Sequence, residues 1–223
     1  MEDAALLRLL SLTSPALPVG AFAYSEGLEQ AAELGFVSDE ETAVDWIGGV
    51  LLGVLAKLDL PMVLKFRGAF AAGNLDEVAE GCRFLHACRE TRELEEQDRH
   101  LGQSLARVLV GHAVPDAAPF VRDPDACFAA LHALATVRFH IPERTALLGY
   151  CYSWTEAQTG ALSRILPLGQ LAIQRILFRI LARVPAAIDA AHLVPAEDIG
   201  AFAPTHTLAS MLHETQYTRL FRS

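Results

Sequence analysis

Cys82, His86 and Cys88 are the residues whose types and spacing come closest to metal chemistry. Cys82 and His86 are one helical turn apart, and with Cys88 they would offer thiolate and imidazole donors to a transition-metal ion. A closed site needs a further donor from another element, and no second Cys/His pair stands nearby. The same residues therefore also read as the buried thiols and imidazole of a packed helix. His206 and His213, seven apart, share one face of a continuous helix and form a sparser donor set, while His132 and His140 stand alone. For other chemistries the signatures are missing. The chain contains no GxxxxGK[ST], no GxGxxG after a strand, no GxSxG and no HExxH. The four cysteines show no CxxC spacing and read as buried thiols rather than a disulfide framework.

The elements that must position these residues are helical. In Leu168–Val184, LGQLAIQRILFRILARV, the residues Ile173, Ile176, Leu177, Ile180, Leu181 and Val184 fall on one broad apolar face. Arg175, Arg179 and Arg183 line the opposite face, where solvent or carboxylates of a neighbouring helix would meet them. Pro167 precedes this helix and Pro185 stops it, and it is the natural centre of the fold. Before it the pattern predicts helices over 4–12, 26–34, 42–58 (opened by a Ser38/Glu41 capping box) and 62–72. One or two more follow over 75–111, then a proline-rich loop at 112–124 and helices over 125–137 and 142–165. Three prolines cut 185–205 into short pieces, and a last helix runs over 205–214. Nothing alternates with period two. The expectation is an all-α, single-domain bundle of about ten helices around 168–184, spanning 1–223, with a flexible tail at about 215–223.

Composition narrows the function. With 52% hydrophobic residues the chain can bury a large core, yet no apolar run reaches the roughly 18 residues of a membrane span. The opening MEDAALLRLL is acidic where a signal peptide is basic, so a cytoplasmic protein is expected. A net charge of −9 argues against nucleic acid and anionic membranes as partners. The charge is uneven: residues 1–60 carry ten acids against Arg8 and Lys57, whereas 163–223 carry six bases against four acids.

Three stretches do not suit a plain helical core. Ser14–Glu29, SPALPVGAFAYSEGLE, is a rigid non-helical run containing Tyr24 and Glu26. Arg89–Arg99, RETRELEEQDR, is charged on all sides, with Arg89/Glu93, Arg92/Glu96 and Glu95/Arg99 at i,i+4 and Asp98 beside them. A helix so charged is either a solvated face knitted by such pairs or an interface. The terminal stretch His213–Ser223, HETQYTRLFRS, brings His213, Glu214, Tyr217, Arg219, Leu220, Phe221 and Arg222 together, a mixture of aromatic and arginine typical of interface anchors.

These stretches, with RETRELEEQDRHLGQSL extending to Leu105 and PLGQLAIQRIL at Pro167–Leu177, resemble the urease accessory protein UreF family in order and spacing over nearly the whole chain. The resemblance implies an all-α, usually dimeric, non-enzymatic protein. Its partners would be a UreD/UreH-type accessory protein, a UreG-type GTPase and the urease apoprotein, and it would serve nickel insertion, with a proposed role in regulating the GTPase. Nickel and GTP would be handled by the assembly, with no cofactor bound by this chain. Tyr24, Glu26, Arg89, Arg92, Glu93, Glu96, Asp98, Arg99 and the seven tail residues named above are the expected partner-binding set. A small helical nickel carrier using the Cys/His residues is the alternative.

Overall fold

The computed structural model describes every residue from Met1 to Ser223 and contains eleven α-helices and no strand. The helix buried on all sides is α7 (Phe128–Arg138), whose residues from Ala129 to Thr136 are all out of solvent. Its run of alanines removes side-chain bulk, so α4 (Asp59–Ala72) and α6 (Arg92–Gly111) come close on either side. Gly102 of α6 makes one such approach possible: a Cβ there would stand 2.7 Å from the Cys127 carbonyl carbon. The long helix α8 (Glu143–Ile165) crosses this centre and carries α1 (Asp3–Leu12) against it, with Leu9 seated on Gly149. One continuous core of 56 residues runs from Ala5 to Phe221.

Several expectations are refined. The run at 168–184 forms α9 (Gln170–Leu181), which buries only Ile173, Ile176, Leu177 and Ile180 against α8 and α3 (Glu40–Val50) and leaves Leu171 and Phe178 in solvent. It is a flanking helix rather than the hub, because its apolar face is one-sided whereas α7 has small side chains and is buried all round. Pro185 opens a helix instead of ending one: it sits in the first turn of α10 (Val184–Ala191), where its missing N–H costs nothing. The arginine stripe of α9 meets the neighbouring helix α3. Arg175 grips Glu40 at 3.0 and 2.8 Å, Arg179 grips Glu41 at 2.7 and 2.7 Å, and Arg183 lies 3.8 Å from Asp45.

The cap of α3 is Asp39, in a reciprocal box with Thr42, one residue past the Ser38/Glu41 pair that the sequence suggests. Residues Leu51–Leu55 continue α3 as a π-helical turn, and α4 then departs at 42°. The stretch 75–111 is two helices, α5 (Leu75–Ala87) and α6, because Arg89–Thr91 leaves the helix and Thr91 caps the next. The remaining helices are α2 (Leu28–Glu33) and α11 (Pro204–His213), packed on each other. No single helix is long and apolar enough to cross a membrane.

Candidate interaction site

The three unusual stretches, far apart in sequence, meet at one place: the start of α6, flanked by α2, α11 and the tail. Here α6 exposes unpaired N–H groups and a positive dipole end, which favour carboxylates. Thr91 accepts from Leu94 N–H, and Glu214 at the end of α11 accepts from the N–H groups of Arg92 (3.0 Å) and Glu93 (3.4 Å). Glu93 turns inward, with His213 Nδ1 at 2.7 Å from one oxygen and Arg219 donating to the other at 2.6 Å. The other nitrogen of the fully buried His213 is 3.2 Å from Glu29. The ring thus bridges the two carboxylates, one nitrogen to each.

Glu29 is the hub of this outer network. On α2, buried among apolar residues, it takes the backbone N–H of Leu220 (2.8 Å) and of Phe221 (3.0 Å) as well as His213. The tail then continues as if it were an extra strand of packing. Arg222 N–H donates to Ala23 O, Ser25 N–H and hydroxyl donate to Ser223 O, and the Ser223 hydroxyl donates to Gln97. Gln97 in turn donates to Glu26 (2.7 Å), which also receives the Trp154 indole N–H (2.9 Å). Burial raises the Glu26 carboxyl above its ordinary range, while Trp154, Arg89 and Gln97 pull it back only in part.

Beneath lies an inner network. Arg89 donates to Asp59 (2.7 Å) and through two nitrogens to Asp98 (2.9 and 3.1 Å). Asp59 also accepts from the Tyr150 hydroxyl, and the second oxygen of Asp98 caps α7 at Phe128 N–H (2.8 Å). Burial pushes the Arg89 guanidinium down, but the two aspartates more than offset it and hold the charge.

The arrangement corrects part of the expected partner-binding set. Arg89 stands before the helix and cannot form an i,i+4 pair with Glu93; the Arg92/Glu96 and Glu95/Arg99 pairs do form. Tyr24, Asp98 and His213 are buried, and Glu26, Arg89 and Glu93 are engaged in bonds within the chain. Arg92, Glu96 and Arg99 lie toward the surface, and Glu214 serves as a cap. The tail, expected to be flexible at 215–223, is docked: Phe221 is buried beneath the Arg164 guanidinium at 4.3 Å, and Ser223 is buried too. What it leaves outside is Tyr217, fully exposed, Leu220, 57% exposed, and Arg222. Leu208, Met211 and Leu212 of α11 are exposed as well. Sequence reading passed over Glu29, Ser25, Gln97 and Arg164. The signal for Glu29 and Gln97 was a polar residue on the apolar side of a helix.

Inward from this junction is a cavity of about 290 Å³, lined by Glu26, Asp59, Cys88, Arg89 and His206 on its polar side. His206 is buried, which lowers its pKa to about 4, and its Nε2 has no hydrogen-bond partner. Cys82, His86 and Cys88 do not converge. Cys82 faces Cys127 across 3.5 Å, His86 Nε2 is buried without a partner, and only Cys88 borders the cavity. No group of three His, Cys, Asp or Glu side chains is arranged to hold a metal ion.

Comparison with known proteins places this geometry in context. The UreF family profile matches residues 37–181. The chain is 44% identical to the urease accessory protein UreF of Alkalilimnicola ehrlichii, over 97% of this chain and 95% of that one. It is 43% identical to the UreF of Hahella chejuensis over the full length of both. It is also 41% identical to the bifunctional urease accessory protein UreEF of Bordetella bronchiseptica, matching 53% of that longer protein.

Proposed function

The chain belongs to the UreF family of urease accessory proteins, and we propose that it acts as a helical adaptor in urease maturation. On this reading it is not an enzyme. It joins a UreD/UreH-type accessory protein to a UreG-type GTPase while nickel is inserted into the urease apoprotein, working in the cytoplasm as a homodimer without nucleic-acid or membrane partners. Nickel and GTP belong to the assembly and not to this chain.

One observation carries the proposal. The tail backbone is fixed by Glu29, Ala23 and Ser25 of the first stretch, with Glu93 and Gln97 of the charged stretch holding its side chains, yet Tyr217, Leu220 and Arg222 are held outward. Leaving a large apolar side chain in water forfeits about 1.5–3 kcal/mol of burial, and a rigid display of such residues beside an arginine is the composition of interface hot spots. Arg222 is in no ion pair and is free for a partner's carboxylate or, as a charge-stabilising arginine, for a nucleotide phosphate on the GTPase.

The test is co-purification of the tagged chain with its sister accessory proteins and urease subunits, with and without GTP. The double change Tyr217→Ala/Leu220→Ala should abolish the higher complex with the melting temperature unmoved. Normal assembly and urease activation by this variant would overturn the role assigned to the tail. If Arg222 acts on the GTPase, single-turnover GTP hydrolysis rises on adding the chain and falls back with Arg222→Ala. A tight stoichiometric nickel site in equilibrium dialysis, lost with Cys82→Ser and His86→Ala, would favour the carrier alternative instead.

A further inference from the structure

We propose that the cavity inward of the α6 start is a binding site for a small organic cation, an ammonium group on a compact apolar body. Its volume of about 290 Å³ is close to the lower end of small-molecule pockets, roughly 300–1,000 Å³. Leu55, Leu58 and Leu101 give it an apolar wall that is buried in the core. The exposed lining residues Phe22, Gly160 and Arg164 mark where it meets solvent. Water fills such a space poorly, because each molecule needs two to four polar partners and most of the wall offers none.

The charge of the lining selects the sign of the ligand. Five carboxylates border the cavity, those of Glu26, Asp59, Glu90, Asp98 and Glu156, against the guanidinium groups of Arg89 and Arg164. Asp59 and Asp98 are occupied by Arg89. Glu26 has only the neutral donors Gln97 and Trp154, and the Glu156 side chain has neither a hydrogen bond nor an ion pair. Burial raises both carboxyls above their ordinary range, as befits acids short of positive charge.

His206 is a second and independent pointer. It is 8% exposed and lines the same cavity, yet its Nε2 has no hydrogen-bond partner. Burial keeps the ring neutral down to about pH 4, so it does not repel a cation. The ring lies against the Glu26 main chain, and in the tautomer protonated at Nδ1 its Nε2 is a bare acceptor for an ammonium N–H. Aromatic rings complete the lining. Tyr150 and Trp154 donate from their polar edges to Asp59 and Glu26, and with Phe128 and Tyr24 they supply the ring surfaces that attract organic cations. A metal ion is the wrong cation here, since no three His, Cys, Asp or Glu side chains converge. The site belongs to the isolated chain and stands or falls independently of the adaptor reading.

In the full chain carrying Trp46→Phe, Trp154 is the sole indole and reports on the cavity. Phenethylammonium and tetramethylammonium are titrated and followed by Trp154 fluorescence and calorimetry, with 2-phenylethanol, phenylacetate and nickel chloride as comparison arms. At least one of the two cations should bind one-to-one with a Kd below about 1 mM. The alcohol and phenylacetate should bind at least about tenfold more weakly. Glu26→Gln should weaken the cation by about tenfold or more, and Glu156→Gln, which breaks no internal bond, by about threefold or more. Glu26→Gln alters two internal hydrogen bonds, so circular dichroism checks its fold and Glu156→Gln stands as the independent variant. No saturable binding of either cation, equal affinity for the neutral alcohol, or an affinity untouched by Glu156→Gln and by folded Glu26→Gln would overturn the proposal. So would a stoichiometric nickel site lost with His206→Ala, which would make the cavity a metal site.

Discussion

Asp98→Ala is the sharpest test of how the charged stretch works, since Asp98 looks like one more surface acid in RETRELEEQDR yet holds two elements together. Its side chain is 6% exposed, takes two hydrogen bonds from Arg89 and caps α7 at Phe128 N–H. Removing one partner of a buried ion pair costs about 3–5 kcal/mol because the other charge is stranded. Asp59 keeps part of Arg89 satisfied, which argues for the lower end. Loss of the α7 cap adds about 1 kcal/mol. The sum, roughly 4–6 kcal/mol, is a large share of the 5–15 kcal/mol that holds a typical domain together. For a chain of this size it corresponds to a fall in melting temperature of about 8–24 °C. Asp98→Asn keeps an oxygen for the cap and loses the charge, so it should fall between the parent and Asp98→Ala. Glu96→Ala, four-tenths exposed and paired only with the open Arg92, should melt with the parent. Urea denaturation followed by circular dichroism reads all three. If Asp98→Ala lies within 1 kcal/mol of the parent, Arg89 is not held as described and the stretch is a solvated face after all.

Two further outcomes follow from buried groups. Burial lowers both His132 and His206 from 6.5 to about 4, so the unfolded chain takes up these protons first and stability falls as pH drops from about 6.5 to 4. Each contributes on the order of 3 kcal/mol to that loss, and His132→Gln should flatten the pH dependence of the urea midpoint in that window; an unchanged slope would refute it. Gly27→Ala should destabilise by about 2–3 kcal/mol, through a left-handed backbone and a clash. Its Cβ would come within 2.9 Å of Ser210 N on α11, so the same variant should loosen the α2/α11 junction in hydrogen exchange.

Most of the fold was legible because periodicity and punctuation are local. Proline or glycine marks several helix ends, among them Gly27, Gly73, Pro142, Gly169, Pro185 and Pro204, and the arginine stripe of α9 finds acids on α3, as a basic face on a half-buried helix demands. The centre was not legible. A strongly amphipathic helix advertises itself, whereas α7 is a short run rich in alanine and leucine whose two inner polar residues, His132 and Thr136, are themselves buried and hydrogen-bonded, and that lack of contrast is what suits it to being surrounded. The π turn at Leu51–Leu55 was also hidden, since nothing in LLGVL distinguishes one extra residue per turn from a regular helix.

The site shows a different limit. Sequence reading singled out three stretches that meet in the fold but assigned most of their polar residues outward, because a dense run of acids and arginines has the same composition whether it meets water, a partner or its own chain. What separates the cases is the partner at long range. Arg89 finds Asp59 thirty positions earlier, and Glu29 finds the Leu220 and Phe221 amides nearly the whole chain length away. Such pairs are invisible to i,i+4 reasoning. Their physical role is specification more than attraction: a buried carboxylate tolerates only arrangements that present it with donors, so Glu29 and Glu93 fix the register of the tail where apolar contacts alone would let it slide. The outward aim of Tyr217 and Leu220 is thereby set by residues that never touch a partner. A change at Glu29 should accordingly weaken assembly through the geometry of the tail, and restoring a carboxylate one methylene shorter, Glu29→Asp, should recover it only in part.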